Sequence, residues 1–144
     1  MKYTVEVKIS LPRNRVIELF DSQENLFKWQ KGLKSFDIVS GIQGEDGLKS
    51  KLIYEGKGKP VIMHETIEKY SFPDQLIAIY EADNVWNRCD NTFHDKGNDT
   101  IWRMETEFRM KGVMRLIGFL GKKMFVSQTK SDMEQFRDFA ETQL

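Results

Sequence analysis

Residues 100–110 have the sequence Thr-Ile-Trp-Arg-Met-Glu-Thr-Glu-Phe-Arg-Met and lead directly into a helical pattern that continues to the C-terminus. Within them the apolar residues Trp102, Met104 and Phe108 alternate with charged residues, which predicts a strand with one buried face. Beyond them, apolar residues recur at steps of three and four, as in an amphipathic helix. A helix of about thirty residues would extend about 45 Å, far enough to cross a whole antiparallel sheet. We expect a hollow between that helix and a sheet curved around it.

Alternation and turn signals earlier in the chain predict the rest of the sheet and two short helices. Residues 2–9 alternate between apolar and polar side chains, which is typical of a strand with one solvent-facing side. Two short helices should follow, the first capped by Ser10 and the second starting at Asp21 or Ser22. From residue 33 to residue 110, turn signals arrive every ten to fifteen residues, as in an antiparallel meander. The predicted fold is α+β, in the order β-α-α-β6-α, with a curved seven-stranded antiparallel sheet and a long C-terminal helix.

Length and composition indicate a globular protein with balanced charge. The 144 residues predict one domain, 1–144, large enough to bury a core. Basic and acidic side chains are equal in number, 22 of each, so the formal net charge is zero and the basic residues are scattered. Because binding of nucleic acid requires a positive excess on one face, we expect no nucleic acid as a partner.

The cysteine content and the N-terminal residues indicate the compartment. The single cysteine, Cys89, excludes an internal disulfide and suits a reducing environment. The N-terminus goes directly into an alternating pattern that contains Glu6 and Lys8, which argues against a signal peptide. No apolar run approaches the ~20 residues of a membrane span. We therefore expect a cytoplasmic protein with no stable membrane anchor. The sequence leaves a homodimer open.

Known catalytic and metal-binding motifs do not occur in this sequence. His64 and His94, the two histidines, are 30 positions apart and belong to no metal-ligand spacing. The sequence contains no Gly-x-Gly-x-x-Gly, no P-loop and no Gly-x-Ser-x-Gly. We therefore expect no metal site and no cofactor.

Bulky apolar side chains that should face inward are the first candidates for a ligand site. Such aromatic and methionine side chains line pockets that accept varied apolar ligands. Each one alone is better explained as core filling. The set favours a partly open cavity, because small residues such as Ser50, Thr66 and Ala78 would leave gaps. The predicted lining residues are Trp29, Tyr54, Met63, Tyr80, Trp102, Met104, Phe108, Phe119 and Phe125.

Glu65 is the strongest candidate for a catalytic or ligand-orienting side chain. It stands between Met63 and Ile67, so a strand that turns both of these inward also turns Glu65 inward. Burial raises the pKa of a carboxyl group without partners. The neutral group could donate a hydrogen bond to a ligand carbonyl, and the ionised group could act as a base. Two alternatives stay open: Glu65 pairs with an arginine, or the other face of the strand is buried and Glu65 contacts water.

Polar residues are also predicted on the inner face of the sixth strand, where Asn87, Cys89 and Asn91 should lie beside Val85 and Phe93. Amides on an otherwise apolar face indicate either hydrogen bonds to a ligand or pairing between strands. The sequence does not decide between these two interpretations. Cys89 has no adjacent histidine or helix N-terminus that would lower the pKa of its thiol, so we expect no nucleophilic role.

Residues 112–121 contain three glycines in ten positions. Each costs about 1 kcal/mol relative to alanine inside a helix. We interpret this segment as the loose first turns of the C-terminal helix, and we hypothesise that it gates the cavity. The alternative is close packing of the helix on a strand.

The order of elements, together with short motifs, resembles the START-like (SRPBCC) superfamily, which has the helix-grip fold. Residues 9–20 resemble its strand-to-helix segment with proline, residues 25–29 resemble its second helix ending in tryptophan, and residues 72–76 resemble its proline-leucine corner. Leu11 stands where alanine is usual in that superfamily. Its members include polyketide cyclase/dehydrase-like proteins, lipid-transfer START domains and proteins of the birch pollen allergen type. The resemblance implies the fold but selects no single function.

Three functions fit these predictions. The first is binding of a small hydrophobic or amphipathic molecule, such as a lipid, polyketide or isoprenoid, with Glu65, Tyr80 and Asn87 orienting its polar end. The second is a cyclase/dehydrase- or hydrolase-like enzyme with Glu65 as general acid or base. The third is a protein-interaction module that uses one face of the sheet.

Overall fold

The computed structural model describes residues 1–143, apart from the side chains of Phe119 and Leu120. The strands of this region are β1 (Lys2–Ile9), β2 (Leu33–Ser40), β3 (Lys49–Tyr54), β4 (Val61–Ser71), β5 (Gln75–Ala82), β6 (Val85–Lys96) and β7 (Asp99–Met110). The helices are α1 (Arg13–Phe20), α2 (Gln23–Trp29), α3 (Val113–Leu120) and α4 (Lys122–Glu141).

The seven strands form one antiparallel sheet, in the order β1-β7-β6-β5-β4-β3-β2. Strands β2 to β7 are a simple meander, and β1 joins it by pairing with β7, where Val5 lies opposite Met104. This arrangement confirms the predicted α+β fold with a seven-stranded antiparallel sheet.

Alternation along the strands separates a core face from a solvent face. In β1, Val5, Val7 and Ile9 are buried while the residues between them are exposed. In β7, Trp102 and Thr106 are buried on the same side of the sheet. The predicted period of two is therefore correct for both strands, and the inner face they share lies against α4.

Helices α1 and α2 lie against the inner side of the sheet and α4. The hydroxyl of Ser22 accepts a hydrogen bond from the backbone N–H of Asn25 at 3.2 Å and so caps α2. The prediction that Ser10 caps the first helix is wrong. Pro12 occupies the cap position of α1, and the backbone N–H of Ser10 instead donates to the Glu141 carboxylate at 2.7 Å.

The predicted single C-terminal helix is two helices, and this is a correction. Gly121, with φ −117° and ψ 24°, separates α3 from α4, and its carbonyl accepts the hydrogen bonds that begin α4. A Cβ at this position would lie 3.0 Å from the carbonyl oxygen of Ile117, so glycine suits the break. The helix that crosses the sheet is therefore α4, with 20 residues and a length of about 30 Å.

An aromatic cluster centred on Phe136 joins these elements. Its ring is fully buried and lies 5.3 Å from Phe20 of α1, 5.2 Å from Trp29 of α2 and 5.6 Å from Trp102 of β7, measured between ring centroids. Edge-on contacts of this kind add stability beyond the burial of the rings. The cluster fixes one end of α4 to the sheet and to both short helices.

Candidate ligand cavity

The space between the sheet and the helices is not filled beyond the aromatic cluster. A cavity of about 600 Å³ lies between the inner face of the sheet, α2 and α4. This volume is within the range of small-molecule sites in proteins. Its apolar wall includes Leu26, Leu52, Ile67, Leu76, Phe108 and Met133. The hollow expected from the sequence is therefore present in the structure.

The structure places the predicted site residues around this one cavity. Those that line it are Trp29, Tyr54, Met63, Glu65, Tyr80, Asn87, Cys89, Trp102, Met104, Phe108 and Phe125. The side chain of Phe119 lies outside the described part of the chain. The expectation that Thr66 leaves a gap on the inner side is wrong, because period two turns it to the opposite face from Glu65 and Ile67.

A row of four polar side chains crosses the inner face of the sheet. Ser50 of β3 lies opposite Glu65 of β4, which lies opposite Tyr80 of β5, which lies opposite Asn87 of β6. Directly opposed residues in an antiparallel sheet bring their Cβ atoms to about 5 Å. Ser50 is buried, and its hydroxyl has no hydrogen-bond partner among the described residues. Three members of this row, Glu65, Tyr80 and Asn87, line the cavity, so a polar band interrupts its apolar wall.

Burial controls the protonation of Glu65. Desolvation raises the pKa of its carboxyl group above the ordinary value, and the hydroxyl of Tyr80 opposes this shift by interacting with the ionised form. The predicted alternative of an arginine partner does not occur: no described arginine or lysine forms a salt bridge with Glu65. The alternative that Glu65 lies on the wet face is also wrong, since it lines the cavity.

The charge of Glu65 also affects its neighbours. Burial raises the pKa of Tyr80 well above its ordinary value, and the nearby Glu65 adds to the shift. The same two causes, burial and then Glu65, raise the pKa of Tyr54. Burial raises the pKa of the Cys89 thiol to about 11, so this thiol is protonated near neutral pH and is a poor nucleophile, as expected from the sequence. The hydroxyls of Tyr54 and Tyr80 and the thiol of Cys89 therefore keep their protons near neutral pH.

Glu65→Gln should stabilise the protein more at pH 7 than at pH 4. The folded state raises the pKa of Glu65 above 4.5, so it keeps a proton that the unfolded chain loses, and stability falls as pH rises from that value. Glutamine does not ionise, so the variant should not lose this stability as the pH rises. We expect the midpoint of thermal unfolding of E65Q to exceed that of the wild type at pH 7, with little difference at pH 4. Circular dichroism would measure both midpoints.

Glu45→Gln is the matched control for this experiment, since Glu45 is exposed in the loop between β2 and β3. It should leave the midpoint nearly unchanged at both pH values. Equal gains for E65Q at pH 7 and pH 4 would show that desolvation of the Glu65 carboxylate does not limit stability.

The amides of β6 are used mainly for pairing between strands. The Asn87 amide donates to the Thr106 hydroxyl at 2.6 Å and to the Glu107 carbonyl at 3.0 Å. The Asn91 amide donates to the Leu76 carbonyl at 3.2 Å and accepts from the Trp102 indole at 2.9 Å. Of the two interpretations left open by the sequence, cross-strand pairing therefore accounts for the donors. Among the described residues, the side-chain carbonyl oxygen of Asn87 accepts a hydrogen bond only from the Cys89 thiol, at 3.2 Å.

The cavity opens between α2, α4 and the loop at residues 41–47. The exposed polar residues among those that line the cavity form its rim: Asp21, Lys31, Gln43, Gln128 and Asp132. Burial raises the pKa of Asp132, and its hydrogen bond with Gln128 partly offsets this. Sequence reasoning missed the rim, because polar residues at helical spacing on α4 look like an ordinary solvent-facing side. Thr129 could have been found, since it stands at helical spacing between the lining residues Phe125 and Met133.

Residues 112–121 lie away from this rim. None of the side chains described in that segment lines the cavity. Gly118 instead lies so close to β7 that a Cβ there would meet the Met110 sulfur at 2.6 Å. The alternative of close packing on a strand therefore describes this glycine, and the structure gives no support to a gate.

Among the described residues, no three His, Cys, Asp or Glu side chains are grouped so as to hold a metal ion. None of the described helices is both long enough and apolar enough to span a bilayer.

The chain is similar to known proteins in structure but not measurably in sequence. No family model and no curated protein matches it. Ara h 8.0201 matches with a TM-score of 0.82 at 12% identity, covering 99% of each chain. The Zhui aromatase/cyclase from Streptomyces sp. R1128 matches with a TM-score of 0.70 at 12% identity, covering 98% of this chain and 93% of that one. A norcoclaurine synthase from Thalictrum matches at 0.72 and 8% identity, covering 97% and 93%.

These likenesses show the fold. The protein has the helix-grip fold, as the sequence motifs predicted. Because one fold carries many functions, the activity must be argued from the cavity itself.

Proposed function

We propose that this protein binds a small apolar or amphipathic molecule, of lipid, polyketide or isoprenoid type, inside the cavity. The observation that carries the proposal is a cavity of about 600 Å³ with an apolar wall and one polar band. Burial of apolar ligand surface supplies roughly 25 cal/mol per Å², so a ligand that covers about 300 Å² of wall gains about 7 kcal/mol before the costs of association. The fit of the ligand to the cavity and the burial of its apolar surface would supply the binding affinity.

The polar groups indicate which end of the ligand they would hold. Burial raises the pKa of the Glu65 carboxyl group; in its protonated form this group donates a hydrogen bond, and in its ionised form it accepts one, while the hydroxyl of Tyr80 can donate. The indole N–H of Trp29, which lines the same cavity, is buried without a hydrogen-bond partner among the described residues. Buried donors without partners cost free energy, and a ligand oxygen would relieve that cost. The proposed ligand therefore has a carbonyl, ether or hydroxyl oxygen at one end.

A second candidate function, an enzyme of the cyclase type, is favoured by the Glu65–Tyr80 pair. A buried carboxyl with a raised pKa beside a tyrosine hydroxyl is an arrangement suited to general acid–base catalysis. One structurally similar protein is an aromatase/cyclase. Loss of turnover with retained binding in E65Q would favour the enzyme, whereas a small effect on both would favour the binding protein.

The compartment belongs to the same proposal. Cys89 is a free, buried thiol, which suits a reducing environment, and we place the protein in the cytoplasm. Fractionation of the native cells would test this.

Native mass spectrometry of the freshly purified protein tests the binding proposal directly. We expect a second population heavier by the mass of one small molecule, which disappears when the same sample is denatured. Extraction with organic solvent should then recover an apolar compound that contains oxygen. A single population with the mass of the bare chain, unchanged after incubation with fatty acids, polyketides and isoprenoids, would contradict the proposal.

A further inference from the structure

The segment between Glu107 and Asp132 has a charge pattern unlike the rest of the chain. Its 24 residues contain no acidic side chain, although the whole chain has zero net charge. The basic residues of this segment are Arg109, Lys111, Arg115, Lys122, Lys123 and Lys130. The segment covers the end of β7, all of α3 and the first half of α4. With six basic residues and no acidic one, this segment carries a formal charge of +6.

Apolar side chains are exposed in the same segment. Val113 and Leu116 of α3 are 76% and 64% exposed, and Met124 at the start of α4 is 60% exposed. Ile117 is exposed beside them. Close packing of Gly118 on Met110 fixes α3 to β7. We call this surface the α3 face: these four apolar residues and the exposed cations Lys111, Arg115, Lys122 and Lys123.

The cations of the α3 face are available to a partner. Lys111, Arg115, Lys122 and Lys123 form no salt bridge with any residue that the structure describes. Arg109 differs, because its guanidinium pairs with Glu107 and lies 4.5 Å over the ring of Trp86. The α3 face therefore combines exposed apolar side chains with uncompensated positive charge.

We propose that the α3 face docks reversibly on the surface of an anionic lipid bilayer. Apolar side chains of a short surface helix can enter the boundary between headgroups and acyl chains, while flanking lysines and arginines attract acidic lipids. A second copy of this chain is a poorer fit, since a two-fold contact would bring the same cations together on both sides. The contact is a weak peripheral one, so the expectation of no stable membrane anchor stays as predicted.

If the proposed ligand-binding function is correct, the position of Phe108 would let docking bring the ligand cavity close to the membrane. Phe108 lines the cavity on one side and the groove beneath α3 on the other. A docked molecule would therefore bring the wall of its ligand cavity close to the lipid, where apolar ligands are concentrated. The docking itself does not depend on this consequence.

Flotation of the full chain with vesicles tests the proposal. The protein should bind vesicles of phosphatidylcholine with phosphatidylglycerol, should not bind pure phosphatidylcholine, and should be released by salt, because the Debye length falls from about 10 Å at 0.1 M to about 3 Å at 1 M. Lys122→Glu with Lys123→Glu should weaken binding at least about tenfold. Leu116→Glu should weaken it without changing the charge of any basic residue.

Two matched controls use exposed residues at other places in the molecule. Lys57→Glu with Lys59→Glu makes the same charge change in the loop between β3 and β4, and Ile42→Glu alters a side chain that is 65% exposed, close to the 64% of Leu116. Both controls should keep wild-type binding. Equal weakening by variants and controls, or no binding of the wild type to acidic vesicles, would overturn the proposal. So would a dimer in analytical ultracentrifugation that L116E dissociates, since the α3 face would then be a contact between copies.

The experiments distinguish failure of the membrane-docking proposal from failure of the ligand-binding proposal. Native mass spectrometry reports the ligand in the cavity without any membrane, and flotation reports docking with or without a ligand. The midpoint of thermal unfolding, measured for every variant, should stay within about 2–4 °C of the wild type, the shift that corresponds to about 1 kcal/mol.

Discussion

Replacing Phe136 by alanine should lower the free energy of unfolding by about 3–5 kcal/mol, the range for deleting a buried phenylalanine. The ring is 0% exposed and contacts Phe20, Trp29 and Trp102. Alanine would leave a void that these rings cannot close, because they are held on different elements. Since domains are stable by only about 5–15 kcal/mol, F136A should unfold at a much lower temperature, as measured by circular dichroism.

Phe27→Ala makes the same chemical change where the ring is 47% exposed, on α2. It should change the free energy of unfolding by no more than about 0.5 kcal/mol. Trp29 and Trp102 also line the ligand cavity, so F136A should release a bound molecule more readily even where it remains folded. Similar effects of F136A and F27A on stability would mean that the aromatic cluster does not hold α4 on the sheet.

The sheet could be predicted because most of its strands have one face that contacts solvent and one that is buried. Alternation at Val5 and Val7, and again at Trp102 and Met104, fixes which side chains point inward before any pairing is known. The pairing of β1 with β7 joins the start of the chain to its last strand, and no local signal specifies it. This pairing was not predicted from the sequence.

The polar band could be predicted only in part. Period two placed Glu65 on the side of Met63 and Ile67, and the structure has it there. That Ser50, Glu65, Tyr80 and Asn87 form one continuous row depends on the registers of three strand pairs. Register is set by turn geometry and packing together, which spacing along the chain does not contain.

In the C-terminal third, patterns averaged over long stretches of sequence gave an incorrect helix and hid a local excess of positive charge. A continuous apolar pattern suggested one helix, but Gly121 divides it, since the backbone there leaves helical geometry. The basic residues were judged scattered because charge was counted over the whole chain. Counted between Glu107 and Asp132 alone, the charge is strongly positive, and only the structure shows that the apolar residues among these cations are exposed.

Filling the cavity from two sides should weaken ligand binding about tenfold or more while the protein stays folded. Met63 on β4 and Met104 on β7 both line the cavity and are separated by β5 and β6, a spacing of about 14 Å at 4.8 Å per strand. Tryptophan at both positions would occupy separate parts of the space. Excluding a ligand from about 60 Å² of wall costs about 1.5 kcal/mol, and each 1.4 kcal/mol weakens binding tenfold. Titration with anilinonaphthalene sulfonate, an amphipathic dye, should therefore show binding at least about tenfold weaker in M63W/M104W.

The control places tryptophan on the neighbouring residues that face solvent. Ile62 and Ile101 adjoin Met63 and Met104 but lie on the opposite face of the sheet, by the same period of two. I62W/I101W should bind the dye as the wild type does. The filled variant should unfold at the wild-type temperature or above it, because filling a void adds apolar contacts. Undiminished dye binding by folded M63W/M104W would place the ligand elsewhere on the molecule, and the cavity would then have no part in recognition.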